Sequence, residues 1–285
     1  MERVDAGSYG ACELCDQPIE EEHLRVNPLV RICLSHLTQE QLRAIERDLD
    51  LAHRIQRTLL PVQQVRFDGW EVCYHYEPAG PVSGDYCDLV KPETEGGDAF
   101  FLFGDVSGKG VAASLLMSHL HAIFRSLIAA EVPLQQLVER ANRVFCESTL
   151  SNHFAILVCA KARSTGAIEI CNAGHCPPLL LRGEKTTPIG STGLPVGMFY
   201  NGQYEISTLQ LTKGDTLFLY TDGVTETRDG SQTEFGEERL SALIARHHAL
   251  SPQALINTCL EDLTSFRAGA AKLDDITIMV IRRVE

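Results

Sequence analysis

Positive charge is what this 285-residue sequence has least of: 25 lysines and arginines stand against 38 aspartates and glutamates, a formal net charge of -13. Such a balance repels phosphate-rich surfaces, so nucleic acid and anionic membranes are not expected as partners held by non-specific electrostatics. Long hydrophobic runs are scarce as well. No apolar stretch of about 18 residues is read, so no membrane-spanning helix is expected. The first residues lack a basic start followed by an apolar core, so no signal peptide is expected. Internal repeats and low-complexity tracts are also lacking. What is there is an ordinary globular composition, 44% hydrophobic, with room for one large domain or a medium domain plus a small module. The sequence holds ten cysteines. Without an export signal they read as reduced thiols in a cytoplasm or as metal ligands, not as a disulfide framework.

Four ligand-type residues stand near the N-terminus in two matched pairs, Cys12-x-x-Cys15 and Cys33-x-x-His36, with 17 residues between the pairs. This is the spacing of a tetrahedral zinc site, and four protein ligands leave no open position, so the expected role is structural. A segment this short cannot fold on its own apolar burial, and zinc would supply the missing stability. His23, inside the insert, reads as a surface residue. Residues 38–60 then carry a helical pattern, with Thr38 and Gln41 as a capping box and Pro61 as the stop. Leu42, Ile45, Leu49, Ala52, Gln56 and Leu59 form an a/d seam. Two readings stay open for it: a helix lying on its own domain, and a helix of a homodimer. The expected organisation is a zinc-binding regulatory module at 1–37, a linker or dimerisation helix at 38–61, and a catalytic domain at 62–285.

From residue 67 onward the chain alternates strand-like runs with a few helices. Strands are expected at 70–76, 99–103, 154–160, 167–172, 179–181, 204–209, 216–220 and 276–281. Helices are expected at 111–130, 134–150, 237–247 and 252–266. Strands predominate at both ends, which suggests an α+β fold of antiparallel sheets covered by helices. The stretch FFLFGDVSGKG at 100–110 organises the rest: a buried strand, ended by Gly104, delivers Asp105 into a glycine-rich turn. Alone, Asp105 reads equally as a helix cap and as a catalytic group. Asp85, Asp222, Asp274 and Asp275 share its grammar, each at a strand terminus. Carboxylates gathered at one end of a sheet repel one another unless cations sit among them, and hard oxygen donors favour magnesium or manganese.

The segments SGDYCD (83–88), GDVSGKG (104–110), NAGHCPPLLL (172–181), LPVGM (194–198), GDTLFLYTDGVTE (214–226), FGEERL (235–240) and DDITIMVIR (274–282) occur in order, preceded by IQRTLLP (55–61). Over about residues 50–285 the chain resembles the SpoIIE/RsbU-like branch of the PPM-type, metal-dependent serine/threonine protein phosphatases. The resemblance implies a central antiparallel β-sandwich flanked by helices, in α-β-β-α order, with two Mn2+ or Mg2+ ions at one end. It implies that Asp105 bridges both metals, that the Val106 carbonyl is a backbone ligand, and that Asp222 and Asp274 complete one site. Asp85 is expected to bind metal directly or through water, and Asp88 and Asp275 to stand behind the ligands.

The activity this implies is hydrolysis of a phosphoserine or phosphothreonine on a small partner of the anti-sigma-antagonist type, by a water shared between two cations. Cys87 and Cys176 read as packing residues, and no cysteine or serine nucleophile is expected. His175 is a candidate acid for the leaving group or a turn residue, and Lys109 a candidate phosphate contact or an exposed loop lysine. Arg66 is the only arginine considered as a phosphate clamp, and no motif supports it. Two further readings remain: a catalytically silent binding or sensor protein, and a metal hydrolase of small phosphoesters.

Overall fold

The computed structural model describes residues 2–5, 7–92, 94 and 96–285. Two short helices, α1 (Glu2–Asp5) and α2 (Glu21–Val26), and a 3-10 turn (Leu34–His36) accompany the cysteine pairs. The long helix α3 runs Gln39–Leu59. Its capping box is formed: Thr38 Oγ1 accepts from the Gln41 amide at 3.2 Å, and the Gln41 side chain accepts from the Thr38 amide at 2.9 Å.

The strands are β1 (Gln64–Phe67), β2 (Trp70–Glu77), β3 (Tyr86–Val90), β4 (Ala99–Val106), β5 (Ala155–Ala162), β6 (Ala167–Ala173), β7 (Leu179–Arg182), β8 (Lys185–Pro188), β9 (Ser207–Gln210), β10 (Thr216–Tyr220) and β11 (Ile276–Arg283). Helices α4 (Gly110–Ile128) and α5 (Leu134–Ser148) follow β4; α6 (Asp222–Thr225), α7 (Glu237–Arg246) and α8 (Pro252–Arg267) follow β10. One sheet has the order β1-β2-β11-β10-β7-β8 and the other β3-β4-β5-β6-β9, with every pairing antiparallel.

Alternation decides the layers. Along β4, Phe101 and Phe103 face the other sheet, where they meet Trp70, Leu217, Leu219, Met279 and Ile281. Phe100 and Leu102 point the opposite way, onto Met117, Leu120 and Phe124 of α4 and Leu137, Val138 and Phe145 of α5. The far face of the six-stranded sheet is covered by α7 and α8 through Leu240, Ile244, Leu255 and Cys259. The result is the expected α-β-β-α sandwich.

Two expectations are corrected here. Gly104 does not end β4: the strand runs through it to Val106, so Asp105 lies on a strand and not on the turn. Gly104 is required inside the sheet, because a Cβ there would meet the Ile156 carbonyl oxygen of β5 at 2.4 Å. The turn proper is 107–109, with Gly108 at φ +101°. The second concerns apolar length. Helix α4 is long and apolar enough to cross a membrane by length and composition, with a mean hydropathy of 1.4. Its apolar face is used inside this fold, where Ala113, Met117, Leu120 and Phe124 are buried.

The seam read along α3 is turned toward the protein itself at its C-terminal end. Gln56 is 4% exposed and Leu59 packs on the core between the five-stranded sheet and α4. Leu51 and Ile55, outside the seam, are the exposed apolar residues of this helix. His23 is corrected as well: it is 6% exposed, not a surface residue.

Candidate metal centre and active site

Asp105, the last but one residue of β4, shares one end of the sandwich with Asp85, Asp222, Asp274 and Asp275. Burial, and then the charges of Asp222, Asp274 and Asp275, push its carboxyl up to about 7 from 3.8. Asp85 is 2% exposed and is raised well above the usual range by burial, then by Asp105 and Asp275. Asp222, at the start of α6, is raised by burial and by Asp274. These carboxylates destabilise one another as anions, and a divalent cation among them removes that cost.

The backbone around them is built for close approach. A Cβ on Gly84 would lie 2.8 Å from Asp105 Oδ1 and 3.0 Å from the Val106 carbonyl oxygen, so only glycine lets the 83–85 loop close over these two oxygens. The Val106 amide donates to the Gly84 carbonyl at 3.3 Å. Gly223 does the same at the other side of the cluster, where a Cβ would meet the Asp275 carbonyl oxygen at 1.9 Å and Asp274 Cβ at 3.4 Å. Carboxylate and carbonyl oxygens are the donor chemistry a hard divalent cation takes, with Asp105, Val106, Asp222, Asp274 and Asp85 as the candidate donors, although among the described residues only the Cys12, Cys15, Cys33 and His36 group already brings its donor atoms within 4.8 Å of one another. Gly223→Ala is expected to displace the Asp274–Asp275 backbone and cost about 1–3 kcal/mol of stability, the usual range for overpacking. Gly230→Ala, where a Cβ meets nothing within 4 Å, is the control. Paired thermal melts check this.

The remaining candidates separate. Asp275 Oδ1 accepts from the Ala79 amide at 2.6 Å and so anchors the loop leading to Asp85. Asp88 is not behind the cluster, and this corrects the expectation. Its carboxylate, 0% exposed, is held by Arg125 of α4 through Nε at 2.7 Å and Nη2 at 2.6 Å. Lys109 Nζ donates to Asp274 Oδ2 at 2.8 Å and to the Leu273 carbonyl at 3.2 Å, tying the turn after β4 to the segment before β11. Arg66 pairs with Glu71 at 2.9 Å and is a β1 surface contact.

Cys87 is buried and its thiol is pushed well above the usual range, first by burial. Cys176 and Arg182 stand at the CxxxxxR spacing of a cysteine phosphatase. The spacing runs into strand β7, Arg182 is bound to Asp215 at 3.1 Å, and burial pushes the Cys176 thiol up to about 12. Neither group can serve as a thiolate nucleophile with its arginine.

His175 is a turn residue. Its amide donates to Asn172 Oδ1 at 2.8 Å and its ring stands edge-on to Phe103 at 5.4 Å. Nδ1 lies 3.0 Å from the Cys176 carbonyl, which places its proton there and leaves Nε2 buried without a partner. Burial lowers its pKa to about 4 from 6.5. Between those values the unfolded chain binds a proton that the folded chain refuses, so folding stability falls as pH drops from about 6.5 to 4. The full effect is about 3 kcal/mol. His175→Gln is expected to flatten this acid limb relative to the parent in melts at pH 7 and pH 4.5. The raised carboxylates act in the opposite direction, but equally in both proteins.

In the N-terminal segment the donor atoms of Cys12, Cys15, Cys33 and His36 lie within 4.8 Å of one another. Cys15 Sγ to Cys33 Sγ is 3.9 Å and Cys12 Sγ to His36 Nδ1 is 3.8 Å. A tetrahedral zinc with bonds of about 2.3 Å to sulfur places its ligands roughly 3.7 Å apart, so the set fits. The amides of Cys33 and Leu14 point at Cys12 Sγ, at 3.3 Å and 3.5 Å. The Ser35 hydroxyl holds the Cys33 thiol below its usual range.

Gln56, Thr221 and Thr277 adjoin the carboxylates, and the sequence motifs do not mark them as part of the site. Gln56 sits in an otherwise apolar seam, and that single polar position was the signal. Thr221 and Thr277 adjoin the acidic motifs and carried no signal of their own. All three hold the 83–85 loop, as described below.

Comparison with known proteins gives three close parallels. The chain is 27% identical over 258 residues to the phosphoserine phosphatase RsbU of Bacillus subtilis, covering 88% of this chain and 75% of RsbU. It is 26% identical over 279 residues to protein IcfG of Synechocystis, covering 87% of this chain but only 43% of IcfG, so it spans less than half of that longer relative. Among solved structures, the SiaA-PP2C domain of Pseudomonas aeruginosa superposes with a TM-score of 0.73 at 20% identity, covering 85% of this chain and 98% of that domain, a likeness of fold. The family model for stage II sporulation protein E matches residues 95–284, well over half of the sequence. With the sandwich in the same order and the acidic motifs at one end of it, the chain belongs to the SpoIIE family of PP2C-type serine/threonine phosphatases.

Proposed function

We propose that the protein is a manganese- or magnesium-dependent phosphatase that removes phosphate from a phosphoserine or phosphothreonine on a partner regulatory protein of the anti-sigma-antagonist type. The observation that carries this is the gathering of Asp85, Asp105, Asp222 and Asp274 with the Val106 carbonyl at one end of the sandwich, where burial, and then the neighbouring carboxylates, raise Asp105 to about 7. When bound there, two cations would supply an acidified water and positive charge for the phosphoryl oxygens. The chain's own part is to hold those oxygens in place. Gly84 admits the 83–85 loop to Asp105, Asp275 fixes the start of that loop, and Lys109 holds the Asp274 segment against the turn after β4. RsbU, named a phosphoserine phosphatase, supports the substrate class. Phosphate release from a phosphorylated regulator with manganese, and its loss with chelator, tests the reading. Equal turnover with and without chelator would overturn it.

The N-terminal residues 1–37 form, in this reading, a zinc-stabilised regulatory module, residues 38–61 a linker, and residues 62–285 the phosphatase domain. In this reading the protein works in the cytoplasm, where the thiols that do not bind zinc stay reduced. The linker touches the active-site loop directly. Gln56 Nε2 donates to the Ser83 carbonyl at 2.7 Å, Gln56 Oε1 accepts from the Ser83 amide at 3.1 Å, and His53 Nδ1 lies 2.8 Å from the Pro81 carbonyl. A signal that shifts α3, including homodimer formation along residues 38–60, therefore moves the segment that presents Asp85. Gln56→Ala leaves two buried backbone groups unpaired, at about 1–3 kcal/mol. It is expected to raise the manganese concentration needed for half-maximal activity, whereas Arg47→Ala, on the exposed side of the same helix, leaves it unchanged. Metal titration of the activity checks both.

A further inference from the structure

Asp85 belongs to the loop before β3, in the five-stranded sheet, yet its side chain is held by the other sheet. Thr221, the residue before α6, and Thr277, on β11, both direct their hydroxyls at Asp85 Oδ2, Thr221 at 3.2 Å and Thr277 in a closer contact. Thr221 Oγ1 is itself the acceptor for the Thr277 amide at 3.1 Å. The Thr221 hydroxyl has one proton to give, and of its two acceptors Asp85 Oδ2 at 3.2 Å is nearer than the Thr277 carbonyl at 3.5 Å, so Asp85 is the better partner. Both hydroxyl protons therefore converge on one oxygen. Asp85 Oδ1 carries no hydrogen bond among the described residues. Asp105, whose Oδ1 lies against Gly84, is the strongest charge acting on the Asp85 carboxyl, so Oδ1 is the Asp85 oxygen left to share a cation with it. Thr221 is 0% and Thr277 1% exposed, so neither hydroxyl is spent on solvent.

We propose that Thr221 and Thr277 are positioning residues for the metal centre: by occupying Oδ2 they lock the Asp85 carboxylate in the one orientation that offers Oδ1 to a cation shared with Asp105. The inference rests on the reading of the acidic cluster as a magnesium or manganese site. Outer hydrogen bonds of this kind orient a ligand before the metal arrives, and their loss typically weakens metal binding about 10- to 100-fold. Valine has the shape of threonine without the donor, so the packing of the sandwich is kept while the lock is removed. The same pair also joins the two sheets at their active end, which is why a merely structural role must be separated from a positioning one.

The test uses the full chain with manganese alone as the probe. Free and bound Mn2+ are measured by electron paramagnetic resonance for the parent, Thr221→Val, Thr277→Val and Thr277→Ser, alongside thermal melts in chelator. The expected result is a 10- to 100-fold weaker manganese affinity in each valine variant, return to within about threefold of the parent in Thr277→Ser, and recovery of turnover at saturating manganese. Parent-like manganese affinity in both valine variants overturns the proposal. Should Thr277→Val fail to melt cooperatively, Thr221→Val and Thr277→Ser decide the question by the same criterion. Asp105→Asn, measured in parallel, separates the two levels. If it also binds manganese as the parent does, the metal reading itself has failed. If it loses manganese while the valine variants retain it, only the positioning role has failed.

Discussion

Asparagine at position 105 is expected to lower manganese-dependent phosphate release by about a thousandfold, equivalent to roughly 4 kcal/mol of lost transition-state stabilisation. The substitution keeps shape and removes the charge at the centre of the cluster. It is expected to act on the metal-free fold in the opposite sense. The folded carboxyl titrates near 7 against an ordinary 3.8, so the folded protein binds the extra proton, and the metal-free protein loses stability as pH rises through that window. Asp105→Asn deletes this loss, and the melting temperature in chelator at pH 8 should rise while activity collapses. A variant that lost both activity and stability would instead point to a carboxylate that packs, with no cation required to neutralise it.

Replacing Cys12 and Cys15 together by serine is expected to release zinc and unfold the N-terminal segment. Structural zinc in segments of this size contributes about 10–16 kcal/mol of apparent binding free energy, far more than the apolar cluster of Ile19, Leu24, Val30 and Ile32 around it can replace. The measurement is elemental: one zinc per chain in the parent and none in the variant, with proteolysis then confined to the first 37 residues. Unchanged zinc content would remove the site. The effect should also reach the phosphatase end, because α2 lies against α4, with the Arg25 carbonyl oxygen 3.7 Å from where a Cβ on Gly110 would stand. Gly110 follows Lys109, the residue that holds Asp274.

Most of the sandwich was legible because its long elements carry unmistakable periods. The expected helix at 38–60 and the strand at 216–220 appear as Gln39–Leu59 and Thr216–Tyr220. Strands β1 and β8 are four residues long and lie at sheet edges; the alternation of Gln64, Val65, Arg66 and Phe67 is too short to stand out from a loop, and Lys185–Pro188 has no apolar alternation. Gly104 is ambiguous because glycine marks two different things in a sequence: the end of a strand, or a neighbour too near for a side chain. Here it is the second, and only the Ile156 carbonyl reveals it. Asp85 and Asp88 look alike in SGDYCD, but residues three apart along an extended chain face opposite sides. Asp85 thus enters the space between the sheets and Asp88 turns to Arg125. The hydroxyl and amide groups that hold the loop come from α3, from Thr221 between β10 and α6, and from β11, distant in sequence, and no local pattern announces such a meeting.

The placement of β11 bears on how the molecule is made. This strand is the last of its sheet to be synthesised, yet it lies in the middle of it, pairing along its whole length with β2 from Ile276 opposite Glu77 to Arg283 opposite Trp70, and with β10 on its other side. A ribosome-bound chain that has not yet released residues 274–283 has two open strand edges, no Asp274 and no Thr277. It can neither join the halves of the sheet nor assemble the carboxylate cluster. Until residues 274–283 emerge the cluster stays unassembled, and the unpaired edge of β2, waiting some two hundred residues for its partner, is where a nascent chain most needs a chaperone.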